Sequence, residues 1–124
     1  MTLLIDDRAG SKDFIHQPVL SKISELSVLD SGDVLIVGNG PDGDTLVGIE
    51  IKSMSDLVSS MNTGRLQGTQ IPRMLRDYDV VWILHYGRYR PCPATGTLQI
   101  QGKKNRWMNY KIGSRLVPYG YVES

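Results

Sequence analysis

The stretch TLVGIEIK carries an acid and a base two positions apart in an otherwise apolar sequence. Side chains alternate between the two faces of a β-strand, so Glu50 and Lys52 share one face while Ile49 and Ile51 share the other. Such a pair is either the polar side of an ordinary strand or part of a chemical site. The residues that the chain brings beside it separate these alternatives.

A second acid is expected to lie next to this pair. DVLIVG and DTLVGIEIK flank NGPDG, a turn-rich segment that predicts a β-hairpin. Asp33 begins the first strand and Glu50 lies near the end of the second, so antiparallel pairing brings the two carboxylates together. Carboxylate oxygens are ligands that Mg²⁺ or Mn²⁺ prefers, and a bound cation activates water against a phosphate ester. Lys52 would position or deprotonate that water, or stabilise the transition state.

The rest of the chain predicts an α/β fold around these residues. TLLIDD predicts a first strand with Asp6 at its exit, and apolar spacing predicts a helix over residues 17–26. Ser53 and Asp56 form the S-x-x-D pattern of a helix N-terminus, and another helix is expected over residues 69–78. The order of elements predicts a mixed sheet flanked by helices.

Two further strand regions are expected towards the C-terminus. DVVWILHYG predicts a central strand covered on both faces, with Trp82 in the core. TLQIQ and RWMNYKIG predict a C-terminal β-hairpin with a basic turn. Trp107 and Tyr110 in this hairpin are candidates for stacking on unpaired bases, and packing across the hairpin is the alternative. The candidate DNA-contacting cations of the turn are Lys103, Lys104 and Arg106.

Charge is divided unevenly along the 124 residues. Residues 1–85 hold 12 acids and 7 bases, whereas residues 86–124 hold 7 bases and the single acid Glu123. An acidic part can gather carboxylates around a cation, and a basic part can lie along a polyanion such as DNA. A basic surface without a partner is the other interpretation.

The size and composition of the chain favour one cytoplasmic domain. A chain of 124 residues that is 40% hydrophobic can bury one core, so a single domain is expected, with its central part over residues 2–86 and a basic hairpin region over residues 87–116. It contains no 18-residue apolar run and no apolar signal segment, so no membrane association is expected. The single cysteine, Cys92, excludes an internal disulfide. The ending VPYGYVES suggests that the chain continues in a longer protein.

The motif region resembles a known family. The stretch GDVLIV…GIEIKSMSDLVSSMNTGRLQGTQ is similar to the XPF-type nuclease domain, whose signature runs GD…ERKxxxDL followed by a GRL…Q segment. The resemblance covers roughly residues 2–86, and the motif sequences look more like those of compact stand-alone nucleases from phage and bacteria. It implies a restriction-endonuclease-like fold and a metal-dependent endonuclease that cuts branched, flapped or junction-containing DNA, leaving a 5′-phosphate. It also implies a homodimer and a bacterial or phage-infected cell.

The resemblance assigns roles position by position. Asp33 falls on the acid of GD, and Glu50 and Lys52 fall on the E and K of ERK. Asp6 falls on the aspartate of the family's VDxRE segment, so Asp33 and Glu50 would hold Mg²⁺ or Mn²⁺ with help from Asp6. The supporting residues that the resemblance implies are Asp56, Arg65 and Gln70, of which Arg65 would also contact DNA.

Two positions depart from the family pattern. Ile51 stands where the signature has arginine, and Ala9 stands where VDxRE has glutamate. The first side chain is expected to face away from Glu50 and Lys52, whereas the second departure removes an acid near the metal. One alternative function is therefore a catalytically inactive DNA-binding or scaffolding module with a nuclease-like fold. An ordinary α/β interaction protein, in which Glu50 and Lys52 form only a surface ion pair, is another.

Overall fold

The predicted NGPDG hairpin lies at the centre of a mixed five-stranded sheet. The computed structural model describes residues 2–8 and 11–123. In the sheet order β2-β1-β3-β4-β5, β1 is parallel to β2 and antiparallel to β3, and β3 is antiparallel to β4. The chain is thus a mixed α/β protein with a mixed sheet. The strands of this sheet are β1 (Thr2–Asp6), β2 (Ser24–Ser27), β3 (Val34–Gly40), β4 (Gly43–Ser53) and β5 (Val80–Tyr86).

The chain divides into two compact units. The first comprises Met1–Ile51 and Gly64–Leu84, and the second comprises Lys52–Thr63 and His85–Ser124. Within residues 2–8 and 11–123, the α-helices are α1 (Pro18–Ile23), α2 (Met54–Asn62), α3 (Ile71–Asp77) and α4 (Gly120–Glu123). Of these, α1 and α3 belong to the first unit, and a one-turn π-helix at Leu66–Gln70 leads directly into α3. None of the described helices is long and apolar enough to cross a membrane.

The first unit buries apolar side chains on one face of the sheet. Leu3, Ile5 and Val34 form the buried cluster, and Ile49 and Ile51 of β4 pack against it. Alternation along β4 therefore places Glu50 on the opposite face, as the sequence predicts. Ile51 accordingly packs with the apolar cluster rather than beside the Glu50 side chain.

The opposite face of the sheet packs closely against the end of α3. A Cβ atom built on Gly48 would lie 2.3 Å from Cδ2 of Tyr78, much closer than real Cβ contacts. Tyr78 is buried, and its hydroxyl donates a hydrogen bond to the carbonyl of Ser31. The glycine in "LVGIE" thus lets the aromatic ring lie directly on β4.

Gly48→Ala is expected to destabilise the protein by about 1–3 kcal/mol, because the added methyl group overlaps the Tyr78 ring. Gly38→Ala on the neighbouring strand β3 is the matched control, since nothing lies within 4 Å of a Cβ built there. Urea denaturation of both variants measures the difference. Equal stability of the two variants would show that Tyr78 does not pack on β4 as described.

The helix predicted over residues 17–26 is wrong in its last three residues. Helix α1 ends at Ile23, and residues 24–27 instead form β2, which pairs in parallel with β1. Val19 and Ile23 are exposed, and only Leu20 of the predicted apolar face packs against the core. Backbone hydrogen bonds to β1 outweigh the weak helical preference of this stretch.

The prediction of a central strand at DVVWILHYG is also wrong. Strand β5 lies at the edge of the sheet, and Trp82 is 63% exposed. Val80 and Leu84 share its exposed face. An apolar run alone does not distinguish a central strand from an edge strand.

The second unit contains the predicted basic hairpin and two strands that the sequence did not indicate. In the order β6-β7-β8, β7 pairs antiparallel with both of its neighbours. Strand β6 lies in GRYRPCPATG, a segment whose Gly and Pro residues predict a loop, and β10 lies beyond the predicted RWMNYKIG strand. The strands of this unit are β6 (Tyr89–Pro91), β7 (Leu98–Gln101), β8 (Trp107–Asn109), β9 (Lys111–Ile112) and β10 (Arg115–Leu116).

Helix α2 supplies the core of the second unit. Ser53 caps its N-terminus, where the Ser53 hydroxyl accepts a hydrogen bond from the backbone N–H of Asp56 at 3.2 Å. Val58 on this helix is fully buried together with Leu98 and Val117. The predicted S-x-x-D helix start is therefore confirmed.

Candidate active site

Three carboxylates of the first unit line one cavity, namely Asp6 at the end of β1, Asp33 immediately before β3, and Glu50 on β4. Ile5 pairs with Val34, and Val34 pairs with Ile49. Each acid is next in sequence to one of these paired residues, because Asp6 follows Ile5, Asp33 precedes Val34, and Glu50 follows Ile49. The hairpin therefore places Asp33 beside Glu50, as the sequence predicts, and adds Asp6 on the other side of Asp33. We call these three residues the acidic row.

The acidic row lines a cavity of about 230 Å³. Asp30 and Ser31 line it from the segment before β3, and Arg8 from the segment after β1. The first turn of α3 and the π-helix before it also contribute. The residues from this helical side are Thr69, Gln70, Arg73 and Met74.

Asp6 is buried and its carboxylate already has partners. One oxygen accepts a hydrogen bond from Nε of Arg8 at 2.7 Å, and the other accepts from the backbone N–H of Leu29 at 3.0 Å. Burial raises the pKa of this carboxyl, but these hydrogen bonds and the Arg8 charge together lower the pKa below its ordinary value. Asp6 is therefore a carboxylate that anchors the exit of β1.

The lowered pKa of Asp6 predicts a loss of stability in acid. The stabilisation of the folded state by ionised Asp6 is complete above about pH 3.9, the ordinary pKa of an aspartate in the unfolded chain. It disappears as the pH falls through the lower pKa that Asp6 has in the folded protein. Asp6→Asn should cost about 1–2 kcal/mol near pH 7 and much less at the acid end. Urea denaturation of both proteins between neutral and acid pH measures this difference. A constant difference at every pH would contradict the assignment.

Asp33 is held at the junction of β3 and β4. Its Oδ2 atom accepts a hydrogen bond from the backbone N–H of Ile51 at 2.7 Å, and its own N–H donates to the carbonyl of Ile49 at 2.8 Å. The two bonds straddle Glu50 along β4. They fix the Asp33 carboxylate next to the strand position that carries Glu50.

Glu50 and Lys52 are two positions apart on β4 but belong to different compact units, and Lys52 is not among the residues that line the acidic cavity. Glu50 is half-buried and lines the acidic cavity. Lys52 is only 7% exposed, which is unusual for a lysine, because a buried ammonium group needs polar or charged partners. The interpretation of the pair as the solvated face of an ordinary strand therefore does not fit Lys52.

The supporting residues are placed differently from one another. Gln70 lines the acidic cavity, and its Oε1 atom is buried without a hydrogen-bond partner among the described residues. Arg65 is exposed and immediately precedes the π-helix. Asp56 is exposed at the start of α2, where its backbone completes the cap described above. Ala9 lies outside the described residues.

The basic turn of the second unit is exposed, and its two aromatic candidates differ. Lys103, Lys104 and Arg106 are all exposed. Trp107 is half-buried, and the Arg90 guanidinium carbon lies 4.3 Å from the centre of its ring. Tyr110 instead packs with the core of the second unit, and its hydroxyl donates to the carbonyl of Ser55 at 3.1 Å. Packing is the better interpretation for Tyr110.

Sequence reasoning missed several residues of the cavity. Arg8 follows Asp6 by two positions at a strand exit, from which an arginine reaches back to the carboxylate, so the signal was present in IDDR. Arg73 lies three residues after Gln70 and thus on the same side of the helical segment. No sequence pattern indicated Asp30 or Thr69, whose positions depend on the folded sheet.

The donor chemistry of the acidic row suits a hard divalent cation at Asp33 and Glu50. Asp33 immediately precedes β3, Glu50 lies on the adjacent strand β4, and both line one cavity. Oxygen ligands are those that Mg²⁺ and Mn²⁺ prefer. Both oxygens of Asp6 accept hydrogen bonds, one from Arg8 and the other from the backbone of Leu29, and Oδ2 of Asp33 accepts one from the backbone of Ile51. Within the described part of the chain, no three or more His, Cys, Asp or Glu side chains form a group spaced for a metal ion. The fit therefore concerns the pair Asp33 and Glu50.

Comparison with known proteins adds no further assignment. No protein-family model matches the chain, and no curated protein matches it significantly.

Proposed function

We propose that the chain is a divalent-metal-dependent endonuclease that hydrolyses DNA phosphodiester bonds at branched, flap or junction structures. The observation that carries the proposal is that Asp33, immediately before β3, and Glu50, on the adjacent strand β4, line one cavity. Lys52 follows Glu50 by two positions. The sequence resemblance to XPF-type nuclease domains supplies the substrate class. The central order β1-β3-β4-β5 and the helices beside it are compatible with a restriction-endonuclease-like fold, which is part of the proposal.

The residues of the chain would divide the work of hydrolysis. Asp33 and Glu50 would hold Mg²⁺ or Mn²⁺. A bound cation of this kind lowers the pKa of water and neutralises charge on a phosphate. Lys52 would orient or deprotonate the attacking water. The water oxygen forms a bond to phosphorus as the bond to the 3′ oxygen breaks, leaving a 5′-phosphate and a 3′-hydroxyl.

Other residues would position the DNA and the acidic row. The hydrogen bond from Nε of Arg8 would keep the Asp6 carboxylate charged and fixed in position next to Asp33. Gln70 would offer its buried Oε1 atom to a donor that enters the cavity. Exposed Arg65, and separately the exposed turn of the second unit, would contact phosphates, and their contribution should fall with rising salt.

A catalytically inactive DNA-binding module is the second candidate. The engagement of Asp6 with Arg8 and Leu29 favours it, because an active centre that needs a third carboxylate ligand would lack one. Binding of junction DNA without cleavage in any divalent metal would support this alternative.

Cleavage of a substrate panel tests the proposal. Flap, splayed-arm, four-way and linear DNA would be incubated with the chain in Mg²⁺, in Mn²⁺ and in EDTA. We expect cutting of at least one branched substrate with either metal, a 5′-phosphate on the product, and no cutting in EDTA. Absence of cutting on all substrates would contradict the proposed activity.

A further inference from the structure

The outer face of the three-stranded sheet in the second unit carries an ordered polar and aromatic surface. Arg90, Gln99 and Asn109 lie in one cross-strand row, and Trp107 lies opposite Gln101 in the next row of the same face. The opposite face carries Leu98 and other residues of the core. Alternation along the strands thus separates a core face from a face that we call the β6–β8 surface.

Hydrogen bonds hold the side chains of this surface in place. Nε of Arg90 donates to Oε1 of Gln99 at 2.9 Å, and Nε2 of Gln99 donates to Oδ1 of Asn109 at 3.1 Å. The hydroxyl of Thr97 also donates to Oδ1 of Asn109, at 3.2 Å. The Arg90 guanidinium is therefore fixed over the Trp107 ring at the distance of a cation–π contact.

A basic turn continues directly from this platform. Arg106 precedes Trp107, and the N–H of Gly102 donates to the Arg106 carbonyl at 2.8 Å, which closes the turn. Lys104 and Asn105 have positive φ angles of 57° and 56°, so the turn is compact. Between residues 86 and 124 the chain has seven Lys and Arg residues and one acid. The local charge thus attracts a polyanion.

We infer that the β6–β8 surface binds an unpaired nucleic-acid strand, with a base stacked on the Arg90–Trp107 platform. Guanidinium planes and aromatic rings both stack on unpaired bases, whose faces a duplex hides. The amides of Gln99 and Asn109 lie beside the platform and can bond to base edges. The cations of the basic turn would contact the adjacent phosphates. The inference rests on the proposed function for the choice of DNA as the partner. It adds that the β6–β8 surface binds the single-stranded arm of a branched substrate.

Binding measured without metal tests this inference separately from cleavage. Trp82→Phe leaves Trp107 as the single tryptophan, so its fluorescence reports on the platform. The full chain with this change would be titrated in EDTA with labelled oligo-dT and oligo-U of about 12 nucleotides, which fits the usual size of such sites. A DNA duplex of the same length and polyglutamate complete the panel. We expect Trp107 quenching and tighter binding of the single strands than of the duplex, and the stronger of the two single strands identifies the polymer.

Three variants separate stacking from charge. Arg90→Gln and Trp107→Leu should each weaken single-strand binding about 10-fold, as read from the anisotropy of the labelled strand. Arg90→Lys keeps the charge but loses the planar group, so it should weaken binding about 5-fold. Lys111→Gln removes one exposed charge from β9 and is the control, with an expected change below about 3-fold.

The outcomes distinguish this inference from the proposed nuclease activity. Cleavage of branched DNA with unchanged single-strand affinity in Arg90→Gln and Trp107→Leu would overturn the platform and leave the nuclease. Single-strand binding that depends on both residues, without cleavage, would support the platform and count against the nuclease. Equal binding of duplex, or of polyglutamate, would overturn the platform.

Discussion

Glu50→Gln is expected to lower DNA cleavage in Mg²⁺ by on the order of 10³-fold or more, because it removes a charged oxygen ligand beside Asp33. Its affinity for Mn²⁺ should fall as well. Single-turnover cleavage of the preferred branched substrate and Mn²⁺ titration followed by electron paramagnetic resonance measure the two effects. Asp44→Asn is the matched control, since Asp44 is an exposed acid on the same strand, and it should leave both properties unchanged.

Lys52→Met separates proton chemistry from metal binding. A lysine that positions or deprotonates water contributes about 10²–10⁴-fold to the rate, so cleavage should fall by that factor while Mn²⁺ affinity is kept. Met retains much of the buried aliphatic volume of the 7% exposed side chain. If Lys52→Met cleaves DNA at the wild-type rate, Lys52 has no role in the mechanism. If Glu50→Gln has the same cleavage rate and Mn²⁺ affinity as Asp44→Asn, the acidic row is not the metal site.

Leu98→Ala is expected to cost about 2–5 kcal/mol of stability, the largest structural effect among these variants. Leu98 is fully buried against Met54, Val58 and Val117, so truncation leaves a cavity in the core of the second unit. Trp107 fluorescence in a Trp82→Phe background follows unfolding of this unit in urea.

Met108→Ala on the adjacent strand β8 is the control for Leu98→Ala. Met108 is 60% exposed, so its truncation should change stability by less than about 0.5 kcal/mol. A small effect at Leu98, or a large one at Met108, would show that Leu98 is not the buried and Met108 not the exposed side chain of the two.

The acidic row could be predicted from the sequence because two short-range rules determine it. The NGPDG turn sets the register of β3 on β4, and strand alternation then decides which face Glu50 occupies. The same rules correctly placed Ile51 on the apolar side. Asp6 was located by the end of the first apolar run, although its engagement by Arg8 and Leu29 depends on a loop that no pattern describes.

The errors in the sequence prediction arise from long-range packing. Trp82 was expected in the core because DVVWILHYG is apolar, but burial depends on which elements cover a strand rather than on its own residues. Residues 24–27 form β2 because they pair with the edge of β1. The helical spacing of apolar residues carries no information about such pairing. Arg90 was missed because its importance comes from pairing with Gln99 and Trp107 on separate strands.

Metal-dependent cleavage in the presence and absence of the acidic row tests the central claim most directly. A branched substrate labelled at one 5′ end would be incubated under single-turnover conditions with wild type and with the Asp33→Asn, Glu50→Gln double variant, each in Mg²⁺ and in EDTA. We expect cutting by wild type in Mg²⁺ alone. Cutting by the double variant at the wild-type rate, or by wild type in EDTA, would contradict a metal-dependent nuclease centred on Asp33 and Glu50.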